Sequence, residues 1–307
     1  MIDVIVLGSL NMDLVVRTEH IPRPGETVRG DQFATIPGGK GANQAAAAAR
    51  LGARVEMVGR VGADAFGPVL LENMRAQGVG VSHVASDAEA PTGIAMIILD
   101  AGGENSIVVA PGANGRVTMA DVEAARDLLR GARFLVMQFE IPMNVVREAM
   151  RLAHELGLPV ILNPAPALPA EPELLRGAEF LVANESEART LTGVEVANPG
   201  DARRAGRALL DVGVPHVILT LGAEGALLCE GGDAVHVPAR QVKVVDTTAA
   251  GDAFIGGLTV ALLNGFTSVE AARYATCAGT LATTVLGAQT SLPSAAEVQA
   301  FYEEGPA

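Results

Sequence analysis

The chain opens on an unbroken apolar run, Val4 to Leu7, of a length that suits a strand buried on both faces. From Leu14 to Ile36 apolar and polar residues alternate, with Pro22, Pro24, Gly25 and Gly30 as turn residues, which predicts short antiparallel strands. Gly41-Ala42-Asn43-Gln44 and the alanines up to Arg50 predict a helix stopped by Gly52. Strand, helix and strand should follow to about Ser86, and then a second exposed hairpin, Thr92 to Asp100 and Asn105 to Val109, turning at Ala101-Gly102-Gly103. The second half alternates more regularly. Thr118 and Asp121 have the spacing of a capping box for a helix that Gly131 closes. Phe134 to Phe139 reads as a strand and Asn144 to Leu156 as a helix. Val160 to Leu162, Phe180 to Val182 and Val217 to Leu221 are further strands between helical segments. Near the end, Val244-Val245 predicts a short strand feeding a turn of small residues, which opens an apolar helix running to about Leu263.

This alternation predicts an α/β fold with three layers, a mostly parallel central sheet covered by helices on both faces. The two hairpin segments are too small to fold alone and are expected to pair into a small β-sheet lid over the sheet edge. The expected boundaries are residues 1–11, 37–91 and 109–307 for the core and 12–36 and 92–108 for the lid. Polar residues fall just past the expected strand ends: Asn11 and Asp13, Glu140, Asn163, Asn184 and Glu187, Thr220 and Gly222. Ligands of open α/β sheets bind outside the carboxyl ends of the strands, so these segments should face one crevice.

Composition narrows the function. At 307 residues and 49% hydrophobic, the chain can bury a large core in one domain with an appendage. A net charge of −13 argues against a nucleic-acid footprint, which should be basic. No Lys/Arg run invites a membrane surface, and the apolar stretch from Ala253 to Leu263 is too short to span one. Cys229 and Cys277 have no metal-ligand spacing, a disulfide framework is not expected, and a reducing cytoplasm fits. Met1-Ile2-Asp3 runs straight into the first strand, so no basic, apolar and cleavable leader is expected. The only lysines are Lys40 and Lys243, so Lys40 stands out inside a glycine loop.

The densest candidate chemistry lies in Asp246-Thr247-Thr248-Ala249-Ala250-Gly251-Asp252, four oxygen-bearing side chains in seven positions at a helix start. Unpartnered N–H groups at such a start suit a phosphate, and Asp252 could take a proton from an attacking hydroxyl. The plain alternative is a cap on a core helix. Pro37-Gly38-Gly39-Lys40-Gly41-Ala42-Asn43 is neither a Walker A loop, since Gly41 follows Lys40, nor part of a dinucleotide fingerprint. It is either a flexible turn or a place where Lys40 and Asn43 flank backbone that meets hydroxyls or phosphates. Asn11, Asp13, Asn43 and Glu140 together supply the carboxylates and amides a polyol needs. With no Trp and two Tyr, hydrogen bonding rather than stacking must carry selectivity, which disfavours a nucleoside acceptor. Asn184 and Glu187 have the spacing of a helix cap, and the run from Thr220 to Ala226 could be an ordinary hairpin connection.

In order along the chain, Gly8-Ser9-Leu10-Asn11-Met12-Asp13, Pro24-Gly25-Glu26-Thr27, Gly38-Gly39-Lys40-Gly41-Ala42-Asn43-Gln44, Asn163-Pro164-Ala165-Pro166-Ala167, Asn184-Glu185-Ser186-Glu187 and the Asp246–Asp252 run resemble the ribokinase/PfkB carbohydrate kinase family over essentially the full length. Two departures mark this last motif: Ala249 where the family's common signature has Gly, and, just after its aspartate, Ala253 where Thr is frequent. The resemblance implies ATP-dependent phosphorylation of the 5-hydroxyl of D-ribose. Asp252 would be the base, with the Ala250-Gly251-Asp252 amides as anion hole. Asn11, Asp13, Gly39, Lys40, Gly41, Asn43 and Glu140 would hold the sugar. Asn184, Thr220, Gly222, Gly225, Gly251 and Thr276 would line the nucleotide, and Glu187 would act on the Mg²⁺–phosphate shell through water. An activating K⁺ would use Asp246 and Thr248, with oxygens of Ala282, Val285, Gly287 and Ser291. The lid would also pair two subunits into a homodimer. Rival expectations are the same chemistry on fructose, 2-deoxyribose or a nucleoside, and a non-catalytic sugar or nucleotide sensor on the same fold.

Overall fold

The computed structural model describes residues 2–102 and 104–305, so Gly103 and Met1 lie outside the described residues. In chain order the elements are β1 (Val4–Leu7), β2 (Asn11–Arg17), β3 (Gln32–Gly38), α1 (Lys40–Arg50), β4 (Val55–Gly62), α2 (Phe66–Ala76), β5 (Gly80–Asp87), β6 (Gly93–Leu99) and β7 (Asn105–Ala110). After these come α3 (Met119–Ala124), α4 (Arg126–Gly131), β8 (Phe134–Met137), α5 (Met143–Leu156), β9 (Val160–Leu162), α6 (Pro172–Arg176), β10 (Phe180–Asn184), α7 (Glu185–Thr192) and α8 (Pro199–Val212). The chain continues with β11 (His216–Thr220), β12 (Ala226–Glu230), β13 (Asp233–Val237), α9 (Ala250–Leu263), α10 (Ser268–Ala282) and α11 (Ala295–Glu303).

Short apolar runs become strands here because each has two faces to bury. In β1, Val4 and Val6 point into one core and Ile5 and Leu7 into the other. The same division recurs at Leu135, Val136 and Met137 of β8, at Val160, Ile161 and Leu162 of β9, and at Val217, Ile218 and Leu219 of β11. The main sheet has the order β13-β12-β11-β10-β9-β8-β1-β4-β5. It is parallel except at one edge, where β12 pairs antiparallel to both β11 and β13. Residues of α1, α9 and α10 pack on one face, and residues of α5 and α8 on the other. This is the three-layer arrangement the alternation predicts.

The two hairpin segments form a second sheet, in the order β3-β2-β6-β7. Strand β2 is antiparallel to β3 and parallel to β6, and β6 is antiparallel to β7. The root of β6 is tied to the main sheet: Asp64 accepts from both the N–H and the hydroxyl of Thr92 at 2.7 Å, and that hydroxyl accepts from the Gly62 N–H at 3.0 Å.

Four local expectations change. Val244-Val245 is not a strand; both side chains are exposed, and the Val245 N–H bonds to the Thr283 carbonyl at the end of α10 instead of a sheet edge. The helix from Thr118 to Gly131 divides at Ala125, and each half keeps an apolar position, Val122 or Leu129, against the sheet. Strand β8 stops at Met137, because the Phe139 N–H turns to the Ala165 carbonyl at 2.8 Å. Asn11 and Asp13 are not in a loop past β1 but are the first and third residues of β2. Among the described residues no helix is long and apolar enough to cross a membrane.

Candidate active site

The site begins with a tight approach of two helices. Helix α1 is an alanine helix whose Ala45, Ala46, Ala47 and Ala48 are buried. Gly256 of α9 sits against it so closely that a β-carbon there would lie 2.5 Å from Ala47 Cβ and 2.8 Å from the Ala48 nitrogen. The alanine run and this glycine therefore let the amino-terminal ends of α1 and α9 reach the same place. Gly39 precedes α1 at φ 92, a left-handed conformation that glycine adopts without cost. Ala249 precedes α9 at φ 59 and is the only positive-φ residue other than glycine among the described residues.

That turn sets Ala250, Gly251 and Asp252 in the first turn of α9. The Ala250 N–H bonds back to the Thr247 carbonyl at 3.2 Å. The Gly251 and Asp252 amides have no backbone partner among the described residues, so two of the three expected amides are free. Beside Gly251 there is open space where a side chain would stand.

Asp252 is buried, and both of its carboxylate oxygens are held by amides. Asn43 Nδ2 donates to Oδ2 at 3.0 Å and Gln44 Nε2 to Oδ1 at 2.9 Å. Burial raises its pKa above the ordinary carboxylate value, opposed by Lys40 and the two amides. Asp13 lies near enough to feel both Glu140 and Asp252, and burial with those two charges lifts it from 3.8 to about 7. Lys40 is the counter-charge. Burial works against its ammonium, but Asp252, Glu140 and Glu187 outweigh that effect and raise its pKa. Glu140 accepts from the Ser9 hydroxyl at 2.5 Å and from the Lys40 N–H at 3.1 Å, while the Gly41 N–H donates to Ser9 Oγ at 3.3 Å. Asn11 Oδ1 accepts from Asn114 Nδ2 at 2.7 Å, which turns the Asn11 amide N–H groups away. Among the described residues, Asn43 Oδ1 is buried without a hydrogen-bond partner, an unused acceptor of the kind a sugar hydroxyl satisfies.

Next to this cluster is a cavity of about 200 Å³ lined by Lys40, Asn163, Asn184, Glu187, Thr220, Gly251 and Asp252. A larger cleft of about 410 Å³ adjoins it, sharing Asn184, Thr220, Thr247 and Gly251 and extending past Gly222, Gly225 and Thr276 to the end of α10. That volume lies within the range of small-molecule sites, roughly 300–1,000 Å³. Asn184 and Glu187 do form the cap their spacing predicts: the Asn184 N–H donates to Glu187 Oε2 and the Glu187 N–H to Asn184 Oδ1, both at 2.9 Å. The same residues line the cavity, so cap and pocket wall are one feature. Burial raises the Glu187 pKa despite the Asn184 N–H and Lys40. The run after Thr220 is a hairpin connection, with Gly225 at φ 91 and packed on the Val237 carbonyl, and also an edge of the cleft. Thr276 donates its hydroxyl to the Ala272 carbonyl of its own helix.

Asp246 fastens the turn before α9. Its Oδ1 accepts from the N–H and hydroxyl of Thr248 at 2.9 and 2.6 Å, and its Oδ2 accepts from the Gly287 N–H at 2.9 Å. Ala282 ends α10, Val285 and Gly287 follow in the loop, and Ser291 is buried with its hydroxyl on the Ala288 carbonyl at 2.8 Å. Among the described residues, the carbonyls of Ala282, Val285 and Gly287 accept no hydrogen bond.

Sequence reasoning missed four buried residues that organise this site: Ser9, Gln44, Asn114 and Gln138. Gln138 left a signal, a lone amide in the apolar run Leu135-Val136-Met137-Gln138-Phe139. Asn114 left none, since it arrives from a turn after β7 and meets Asn11 only in the fold.

A model of pfkB family carbohydrate kinases matches residues 1–295. The chain belongs to the pfkB family of carbohydrate kinases. It is 39% identical to a ribokinase of Haemophilus influenzae over 298 residues, 97% of each chain. It is 36% identical to a deoxyribokinase of Salmonella typhimurium over 293 residues, 95% of this chain and 96% of the other. Its fold is similar to that of the solved structure of an Arabidopsis thaliana ribokinase complexed with ribose and ATP, at TM-score 0.89 and 33% identity, covering 98% of this chain and 99% of that one.

Proposed function

We propose that the protein transfers the γ-phosphoryl group of ATP to the 5-hydroxyl of D-ribose, giving D-ribose 5-phosphate and ADP. The observation that carries this reading is Asp252 itself, a buried carboxylate beside two free amides where a cluster of carboxylates and amides suited to a polyol meets a nucleotide-sized cleft. Asn11, Asp13, Gly39, Lys40, Gly41, Asn43 and Glu140 hold the sugar. The 5-hydroxyl oxygen attacks the γ-phosphorus, its proton passes to the Asp252 carboxylate, and the bond to the β-phosphate oxygen breaks as ADP leaves. Lys40 and the Gly251 and Asp252 N–H groups, with Ala250 completing the turn, meet the charge on the transferring phosphoryl oxygens. Asn184, Thr220, Gly222, Gly225 and Thr276 line the nucleotide. A similarity to a ribokinase with ribose and ATP, and 39% identity to a named ribokinase, support ribose as the sugar.

A Mg²⁺ arriving with ATP would be held through its water shell by Glu187, whose buried carboxylate beside Asn184 has lone pairs to spare. When bound it neutralises phosphate charge. A K⁺ would fit the Asp246–Thr248 turn, the Ser291 oxygen and the carbonyls of Ala282, Val285 and Gly287, a set of hard oxygen donors. The small sheet acts as a lid, with 12–36 and 92–108 as lid and 1–11, 37–91 and 109–307 as core, and joins two chains as a homodimer. Two free cysteines, Cys229 buried and Cys277 partly so, accord with a cytoplasmic location.

A coupled ADP-release assay over pentoses, hexoses and nucleosides, with and without K⁺, tests the reading. Ribose should give the highest kcat/KM, and no turnover on any sugar would leave a sensor. The deoxyribokinase relative makes 2-deoxyribose the acceptor to set against ribose. Asp252→Asn should lower kcat at least about 10²-fold with sugar affinity mostly intact. Near-normal turnover would remove Asp252 from the mechanism.

A further inference from the structure

We propose that Gln44, backed by Gln138 and Asn163, forms a directed chain of side-chain amides that positions Asp252 for accepting the proton. The inference rests on the reading of Asp252 as the base. It begins at a fixed point of the main sheet, the Val182 carbonyl in β10, which accepts from Asn163 Nδ2 at 3.0 Å. Asn163 Oδ1 must then face the other way, where it accepts from Gln44 Nε2 at 3.1 Å. The second hydrogen of that same Nε2 goes to Asp252 Oδ1 at 2.9 Å. Gln44 Oε1 accepts from Gln138 Nε2 at 2.6 Å, which closes the chain from β8's end.

The direction of every amide follows from its neighbours. Flipping Gln44 would set its oxygen against Asp252 and Asn163 Oδ1 and its nitrogen against the Gln138 nitrogen, three repulsive contacts at once. Burial makes that cost large, since Gln44 is 1% exposed and Gln138 0%. An ionised carboxylate offers roughly four lone-pair sites. Gln44 takes one on Oδ1 and Asn43 one on Oδ2, so each oxygen keeps a site.

Neutral donors are also suited to this place electrically. Asp252 shares its surroundings with Lys40 from α1, Asp13 from β2, Glu140 beyond β8 and Glu187 from α7. One cation faces three other carboxylates there, and the amides stabilise the ionised base without adding a further charge. Gln138 takes part at a distance. Among the described residues its only partner is Gln44, and its own Oε1 is buried unpaired beside Gly8.

The test follows kcat at saturating ribose and ATP from about pH 5 to 9, which reports groups in the bound complex. It compares wild type with Gln44→Met, Gln138→Leu and Asp252→Asn. Gln44→Met should lose about 10- to 100-fold in kcat, with ribose KM changed by less than about threefold. Its acid limb should move up by roughly one pH unit, because the ionised base has lost a donor. Gln138→Leu should move the limb in the same direction by a smaller amount, although it reaches neither Asp252 nor substrate. A merely packing role would lower the melting temperature and leave the limb in place; that result in Gln44→Met overturns the proposal. Should Gln44→Met not fold, an unmoved limb in Gln138→Leu overturns it equally. Full activity of Asp252→Asn would sink the base reading itself, whereas an inactive Asp252→Asn with unmoved limbs in the glutamine variants sinks the amide chain alone.

Discussion

At the scale of single residues, the most telling group is Asp13. Its carboxyl is pushed from 3.8 to about 7 by burial and by Glu140 and Asp252, so it carries a proton in the ligand-free fold over a range where the unfolded chain has lost one. The folded state therefore binds more protons between those values, and this group's contribution to stability is present at low pH and is lost as pH rises through about 7. Asp13→Asn should then raise the melting temperature of the ligand-free protein more at pH 8 than at pH 5, as differential scanning fluorimetry can record. Equal shifts at both pH values would show that Asp13 titrates normally. In the sugar complex the same carboxylate is read as an acceptor, so ribose KM should rise as pH falls below about 7. Gly93 illustrates a residue defined by what surrounds it. A β-carbon there would run into Asn114 Nδ2 and Asn11 Oδ1, so Gly93→Ala should separate that pair and raise ribose KM well before it lowers kcat.

Helices α1 and α9 matter at the next scale because they bring Lys40 and Asn43 to Asp252. Their crossing tolerates only small residues. Gly256→Ala should cost about 1–3 kcal/mol in urea unfolding, the usual range for an overpacked site. It should lower kcat too, since the two helix ends would be pushed apart; wild-type stability would mean that the helices can slide. Ala249 stores strain at the head of α9. At φ 59 it occupies a region costly for a β-carbon, so Ala249→Gly should stabilise by up to about 1 kcal/mol in the same measurement. The capping boxes show how far local chemistry is readable. Asn184 with Glu187 and Thr118 with Asp121 have cap spacing in the sequence and make those caps in the fold. The break at Ala125 and the loss of the Val244-Val245 strand were not readable, because both depend on which neighbour lies alongside.

For the whole molecule, one face of the small sheet presents Phe33, Met96 and Val108 to solvent, an apolar patch unusual for a free surface. A second copy of the chain is the proposed cover. Sedimentation velocity should find a dimer for the wild type and a monomer for Val108→Lys, with the main sheet's circular dichroism unchanged. A monomeric wild type would leave that face to another partner. Long-range pairing dominates this architecture, as the parallel β2–β6 contact joins segments about eighty residues apart through the register Asn11↔Gly93.

What the sequence determined alone was everything written in short-range pattern: the two-faced apolar strands, the alanine helix, the caps, and the order of motifs that identifies the kinase family. Tertiary structure alone decided that Asn114 meets Asn11, that Gln138 and Asn163 reach Asp252 through Gln44, and that three carboxylates crowd one lysine. The physical reason is a difference in range. Periodicity records which face of one segment is buried, whereas the meeting of side chains from distant segments follows from sheet order and close packing, which no local pattern contains.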